Sequence, residues 1–403
     1  MEEKTPLWTK DFILICIAQL AVSTSFFATS TVLPIFLEAH LGVAGLLLGL
    51  TVACYTITSV LFRPFVGYLL DHWGRKSIYL PSYFLFGLLF FFYPFVGALA
   101  GMILLRLAHG IFWGASLASA GTVVVDLTPV SRRGEGLGFF GLTASVGMAL
   151  GPALGVMVIE NFGYKQLFVG CSVFLLVFFL FTLTLKIPKL EKSHRRLSIK
   201  TLVEKTSLPM AFVAMVIALP YGGMLTYTAK YVASGQVNAS AGIFFVALAL
   251  GMAVCRVLAG KRFDRSGPVL IMTYCFIFIV GGYLMLALTR SALPFYGAAF
   301  VLGLGYGIAF PVCSAMVNHL VGPDRRGAAN ATFWTIFDIG ICSGIILVGF
   351  TQEEFGWRAT QIVEAATVFL AVALFWLKSL PHYLNTLHTA RPDLAQRHEY
   401  SAQ

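Results

Sequence analysis

Charge is what this chain has least of. Only 11% of its 403 residues are Asp, Glu, Lys or Arg, whereas soluble domains carry about a quarter. With 58% hydrophobic residues and a mean hydropathy of +0.83, a large water-soluble core is excluded and an integral membrane protein is indicated. Cysteines are few and scattered: positions 16, 54, 171, 255, 275, 313 and 342 stand singly inside apolar runs, without metal-ligand spacing. Buried structural thiols are expected, and no metal. HExxH, GxSxG, a phosphate loop and a large soluble domain are all missing, so an enzyme has no support and no cofactor is expected beyond a coupling proton. A cleavable signal peptide is not expected either, because MEEKTPLWTK leads straight into a span too long for one. The net charge of +10 does not indicate nucleic acid, since the basic residues gather in alternate loops. The expected partners are the lipid bilayer and a small solute, with the chain a monomer.

The chain is also organised around a repeat. The stretch RPFVGYLLDHWGRK, residues 63 to 76, returns as RVLAGKRFDRSG, residues 256 to 267. Arg63 answers to Arg256, Gly67 to Gly260, Asp71 to Asp264 and Gly74 to Gly267, each at an offset of 193. At that offset Gly110 and Gly114 match Gly303 and Gly307, and Gly147 and Gly151 match Gly340 and Gly344. Arg132, Arg133 and Gly134 match Arg325, Arg326 and Gly327, and ENFGYK from Glu160 matches EEFGWR from Glu353. One such match could be chance; five groups at one spacing make the chain a duplicated unit, a known transporter architecture.

A membrane helix needs ~20 mostly apolar residues. On that basis the hydropathy predicts twelve spans, at roughly 12–37, 45–70, 77–97, 99–126, 135–159, 165–187, 208–233, 239–263, 268–289, 292–319, 327–351 and 357–380. The fold class expected is all-α, twelve transmembrane helices in two six-helix bundles. The bundles cover residues 1–187 and 208–380, with a polar connector at 188–207 and a polar tail at 381–403. The tail's His382, His388 and His398 are too loosely spaced for a metal, and a disordered tail is expected. With both termini in the cytoplasm, inner loops and tails hold 21 of the 28 Lys plus Arg and outer loops hold three, Lys165, Arg290 and Arg358. That asymmetry fixes the expected orientation.

Twelve spans in two repeats, with a glycine–aspartate–glycine–basic turn after the second, resemble the major facilitator superfamily over residues 12 to 380. The motif is Gly67, Asp71, Gly74, Arg75 and Lys76. The resemblance implies a cytoplasmic latch, with Asp126 as its second acid and Asp264 in the repeated turn; Gly67 is expected to let two helices approach closely. His72 stands where arginine is commoner. RLAHGIFWG, residues 106 to 114, resembles the family's span-four motif. GMALGPALG, residues 147 to 155, is similar to the span-five signature of the drug:proton antiporters, through Gly147, Gly151, Pro152 and Gly155, although Val156 replaces a further glycine. In residue terms these glycines line one face beside a bend-promoting proline. The face could slide against a neighbour or simply pack closely. In the second half Ile345 replaces the proline, which favours a specialised role for the first.

Charges at bilayer depth cost about 2.5–3.5 kcal/mol even on the lenient insertion scale, so each needs a cavity or a partner. Asp338 lies about ten residues into span eleven, near the midplane at ~1.5 Å per residue. It shares a face with Asn330, Trp334 and Cys342, and either exchanges a proton or substrate cation there or makes a structural hydrogen bond. Arg106 is expected to pair with an acid or fix backbone carbonyls, followed on its face by His109 and Trp113. Lys230 either snorkels to the outer surface or joins Thr226 and Tyr227 in an outer-mouth site. Gln19, Ser23, Phe27 and Ser30 form a stripe on span one; spans seven and ten offer Tyr221, Tyr227 and Tyr306. The resemblance implies that spans one, four, seven and ten line the pathway, hence an aromatic, mildly polar cavity suited to amphipathic or weakly charged solutes. The function expected is proton-coupled efflux by alternating access, from a bacterial cytoplasmic membrane. An uptake symporter or facilitator for a sugar or organic acid is the second reading, and a sensor or enzyme on the same scaffold a distant third.

Overall fold

The structure, a computed structural model, describes residues 6–129, 132–187, 203–322 and 325–390; Pro64, Asp71, residues 133–134, 257–267, 326–327 and 388–390 are described by backbone alone. Every regular element among them is helical. The chain divides into two compact units, Met1–Val43 with Thr51–Leu197, and Ala44–Leu50 with Ser198–Gln403. The first holds α1 (Lys10–Leu41), most of α2 (Gly45–Trp73), α3 (Arg75–Phe90), α4 (Leu99–Leu127), α5 (Arg133–Phe162) and α6 (Tyr164–Thr182). The second holds α7 (Leu208–Ala233), α8 (Ala241–Leu288), α9 (Ala292–His319), α10 (Arg326–Glu354), α11 (Gly356–Leu374) and α12 (Leu380–Ala390).

Ten helices of the described residues are long and apolar enough to cross a membrane, and the apolar stretch Ala241–Arg256 is shorter. Two of the predicted spans look different. The third ends early: α3 has 16 residues and stops at Phe90, after which Tyr93–Phe95 form a 3-10 turn. Pro94 explains the stop, because its ring would meet the carbonyl of residue 90 in a continuing helix. The eighth and ninth run as one 48-residue helical stretch, α8, with Pro268 inside it, so no loop separates them where a turn like that at Gly74 is predicted. Yet α8 is not straight. Gly251 packs on Gly303 while Gly282 packs on Leu302, although about 30 residues of straight helix would hold them some 46 Å apart. The chain therefore reverses between those points, and two antiparallel arms result.

The repeat is written into the packing. Gly110 meets the carbonyl of Tyr55 and Gly303 that of Leu248; Gly114 meets Ser59 and Gly307 meets Met252. Both the glycines and their partners are 193 apart, so α4 on α2 and α9 on α8 are one contact made twice. The turns Gly163 and Gly356 also match, with φ of +92° and +77°, a region that only glycine enters without strain.

The tail departs from expectation. Its first ten residues form α12, whose Tyr383 and Leu387 are fully buried. Tyr383 hydroxyl lies 3.0 Å from His319 Nδ1, and His382 Nε2 lies 3.1 Å from the Thr206 carbonyl. An apolar face every three to four residues (Leu380, Tyr383, Leu387) outweighs the polar composition. His398 lies outside the described residues, as does the His388 side chain.

Candidate functional site

The turn between α2 and α3 is made by Gly74, at φ +92° and ψ 155°. It brings Arg75 back against α4, where Nε donates to Asp126 Oδ2 at 3.1 Å and Nη1 to the Leu70 carbonyl at 2.8 Å. Both side chains of the pair are largely buried. Lys76 Nζ donates to the carbonyls of Leu183 and Leu185, at 3.2 and 3.1 Å. Arg75, Lys76 and Asp126 thus tie α2, α3, α4 and the end of α6 together. The side chains of Asp71 and Asp264 lie outside the described residues. Beside Gly67, nothing among the described residues stands within 4 Å of the position a Cβ would take.

Inside the first unit Arg106 is 2% exposed and carries no acid partner among the described residues. Its guanidinium donates to the Val52 carbonyl and stacks over the Tyr55 ring, 4.4 Å from the centroid. Of the two expectations, carbonyl fixing is the one seen among the described residues. His109 is buried with Nδ1 2.8 Å from the Tyr93 hydroxyl, and its Nε2 has no partner among the described residues. Trp113 stacks on Phe26 at 4.0 Å and tilts toward Phe86. Gln19 Nε2 donates to Ser23 Oγ at 3.0 Å, so those two polar groups are spent on one another. Phe27 and Ser30 are half-buried.

Gly147, Gly151 and Gly155 all face α1. A Cβ on Gly151 would stand 2.7 Å from the Thr24 carbonyl, and α1 passes as close to the other two. In the second unit Gly340 and Gly344 press on the backbone of Met215 and Leu219 in α7. Close packing is therefore common to both halves. What belongs to the first alone is Pro152.

In the second unit, Tyr221 and Tyr306 are buried with ring centroids 4.5 Å apart. Tyr306 and Tyr283 hydroxyls lie 3.1 Å apart. Tyr227 lines a small cavity between α7, α8, α9, α10 and α11, and the buried Lys230 does not. Asp338 is half-buried. On the same helix Asn330 exchanges hydrogen bonds with Asn318 at 2.9 and 3.1 Å and accepts from Ser314 at 3.3 Å. Trp334 is 42% exposed.

A profile of the Major Facilitator Superfamily matches residues 15–296 and 238–396. The chain belongs to that superfamily. Among its relatives, the staphylopine export protein of Staphylococcus aureus is 21% identical over 88% of this chain and 93% of its own length. The multidrug resistance protein MdtG of Escherichia coli is 24% identical over 93% and 96%. The crystal structure of the nucleoside transporter NupG superposes with a TM-score of 0.70 at 16% identity, covering 91% of this chain and 99% of the other. This superfamily member is thus a multi-pass membrane transporter, taking small molecules as substrates.

Two groups in this transporter escaped the reading of the sequence. Glu364 in α11 is 6% exposed and lines the same cavity as Tyr227, Tyr283 and Gln361. Its signal was the polar stripe Thr360, Gln361 and Glu364 within an otherwise apolar run, which a count of loop charges passes over. The other is Glu204, just before α7, which accepts from Arg325 at 2.9 Å and from the Thr206 hydroxyl at 3.0 Å. Burial alone would raise its pKa, but hydrogen bonds from Thr206 and Arg325 outweigh it and hold the carboxyl below its ordinary value. That pair spans about 120 positions, so spacing could not reveal it. Among the described residues no His, Cys, Asp or Glu cluster could hold a metal ion.

Proposed function

We propose that this transporter is a proton-driven exporter of small amphipathic or weakly charged organic molecules, working by alternating access in a bacterial cytoplasmic membrane with both termini inside. The observation that carries it is the composition of the buried interior: Arg106, His109, Lys230 and Glu364 are its only Arg, His, Lys, Asp or Glu members among the described residues, set amid tyrosines and phenylalanines. Such an interior has too few fixed charges for a phosphate or polycarboxylate, which calls for several arginines. The relatives' names, a multidrug resistance protein and a staphylopine exporter, agree in direction. In this reading Arg75, Lys76 and Asp126 latch the cytoplasmic side, the Pro152 helix moves against α1, and Asp338 exchanges protons, with Arg106 and His109 shaping the polar interior. Uptake of a polar metabolite is the second reading, favoured by one observation: the glycine packing of α5 recurs in α10, so it does not single out an antiporter.

The test is lumenal pH in proteoliposomes as candidate solutes are added. An exporter of this kind moves protons against solute flux, and Asp338→Asn abolishes the dependence on a pH gradient. Undiminished pH-driven flux in that variant rejects the Asp338 assignment, and proton movement with the solute replaces efflux by symport.

A further inference from the structure

We propose that Glu364 and the Tyr283–Tyr306 hydroxyl pair form a proton-exchange site inside the second unit, distinct from Asp338. Among the described residues Glu364 is the one buried acid. It stands about 12 Å along α11 from Gly356, and no Lys, Arg or His lies within ion-pair distance of it among the described residues. Asp338 by contrast is half-buried, on α10. A carboxylate at such depth without a cation is costly, and binding a proton removes the charge outright.

The surroundings are built around the carboxyl. A Cβ at position 223 of α7 would stand 2.7 Å from Glu364 Oε1 and would also strike Val348. Gly223 is therefore what lets the carboxyl lie against the α7 backbone. The titratable neighbours are Tyr227 and Tyr231 from α7 and Tyr283 from α8, all lining the cavity, with Tyr306 of α9 behind Tyr283. From α10 only Val348 reaches the cavity, and from α11 itself Trp357, Thr360 and Gln361. Lys230, Arg290, Glu353, Glu354 and Arg358 do not line it.

Size identifies the ligand. The cavity holds about 30 Å³, room for one or two waters and no organic solute. The groups that could carry a proton onward are neutral hydroxyls: Tyr283 to Tyr306 at 3.1 Å, and Tyr306 to the Ile217 carbonyl at 3.5 Å. Tyr221 packs on Tyr306, and its own hydroxyl has no partner among the described residues. The chain of hydroxyls leads from the cavity along α7. A proton taken from water by the carboxylate returns to water, and no covalent bond is made. Any role of this site in coupling rests on the proton-driven reading above; the site itself does not.

The decisive experiment is a pH titration of the purified, lipid-reconstituted protein by infrared difference spectroscopy, following the carbonyl stretch of protonated carboxyls. A titrating band that survives in Asp338→Asn is expected in the wild type; that band is lost in Glu364→Gln and moved in frequency in Glu364→Asp. An unchanged band in Glu364→Gln overturns the proposal. Should Glu364→Gln not fold, an unmoved band in Glu364→Asp overturns it equally. A band governed by sodium in place of pH makes this a metal-cation site and overturns the proton assignment. Loss of the band in Glu364→Gln with pH-driven export intact leaves the proton site standing and removes its coupling role.

Discussion

The two units share their backbone contacts and differ in the charge they bury. The first encloses Arg106, which has no acid partner among the described residues and is satisfied by the Val52 carbonyl and the Tyr55 ring. The second encloses Lys230 and, apart from it, an acid with no cation in ion-pair reach among the described residues, Glu364. At the repeat offset of 193, Arg106 corresponds to Ala299 and Glu364 to Cys171. Duplication thus preserved what sets helix spacing and left the interior polar groups free to diverge. Glycine contacts depend on backbone approach, where any Cβ is too large. Buried charges depend only on finding local compensation.

That contrast can be broken by mutation. Gly151→Leu and Gly344→Leu each force a side chain between touching helices and are expected to cost about 3 kcal/mol or more, read as loss of folded protein on size-exclusion chromatography. A large loss in one and tolerance in the other would end the equivalence of the two contacts. Arg106→Ala orphans a buried carbonyl and removes a cation–π contact, an expected loss of about 2–3 kcal/mol in thermal melting. Arg106→Lys recovers only part of it, because an ammonium cannot stack and donate together.

Asp126→Asn sharpens the comparison at the α2–α3 turn. It leaves a largely buried guanidinium without its carboxylate, so it is expected to lower stability by about 1.5–3 kcal/mol while clearly slowing transport in vesicles; normal turnover counts against the latch. The smallest effect belongs to Glu204 and Arg325. Glu204 is held below its ordinary pKa, so the pair's contribution is complete above the unfolded carboxyl value. It is lost as pH falls through the lower folded one. The melting temperature of the wild type should therefore drop on acidification by on the order of 1 °C more than that of Glu204→Gln. Equal slopes would remove the pair from the stability of this face.

Much of the fold was legible early. Length and apolarity located the spans, and the offset of 193 located the halves, because both are properties of a chain read along itself. Two expectations failed for a shared reason. The α8 bend looked like a copy of the Gly74 turn, and the start of the tail, residues 381–390, looked disordered. Each depended on what lies opposite, which one-dimensional spacing does not contain. The site was legible in part. Arg75, Asp126, Arg106 and the tyrosines were visible as residue types at meaningful positions, but the bonding of Asn330 to Asn318 on another helix was not.

What the sequence by itself determined is that this chain crosses a bilayer as a duplicated bundle, since a hydrocarbon solvent tolerates few other solutions for so apolar a chain. Only the tertiary structure decided which polar groups meet. Whether Arg106 finds an acid, and whether Glu364 finds a base, depends on helices more than 40 residues apart in sequence arriving at one place. The free energy of a buried charge is set by that arrival and not by its own position in the chain.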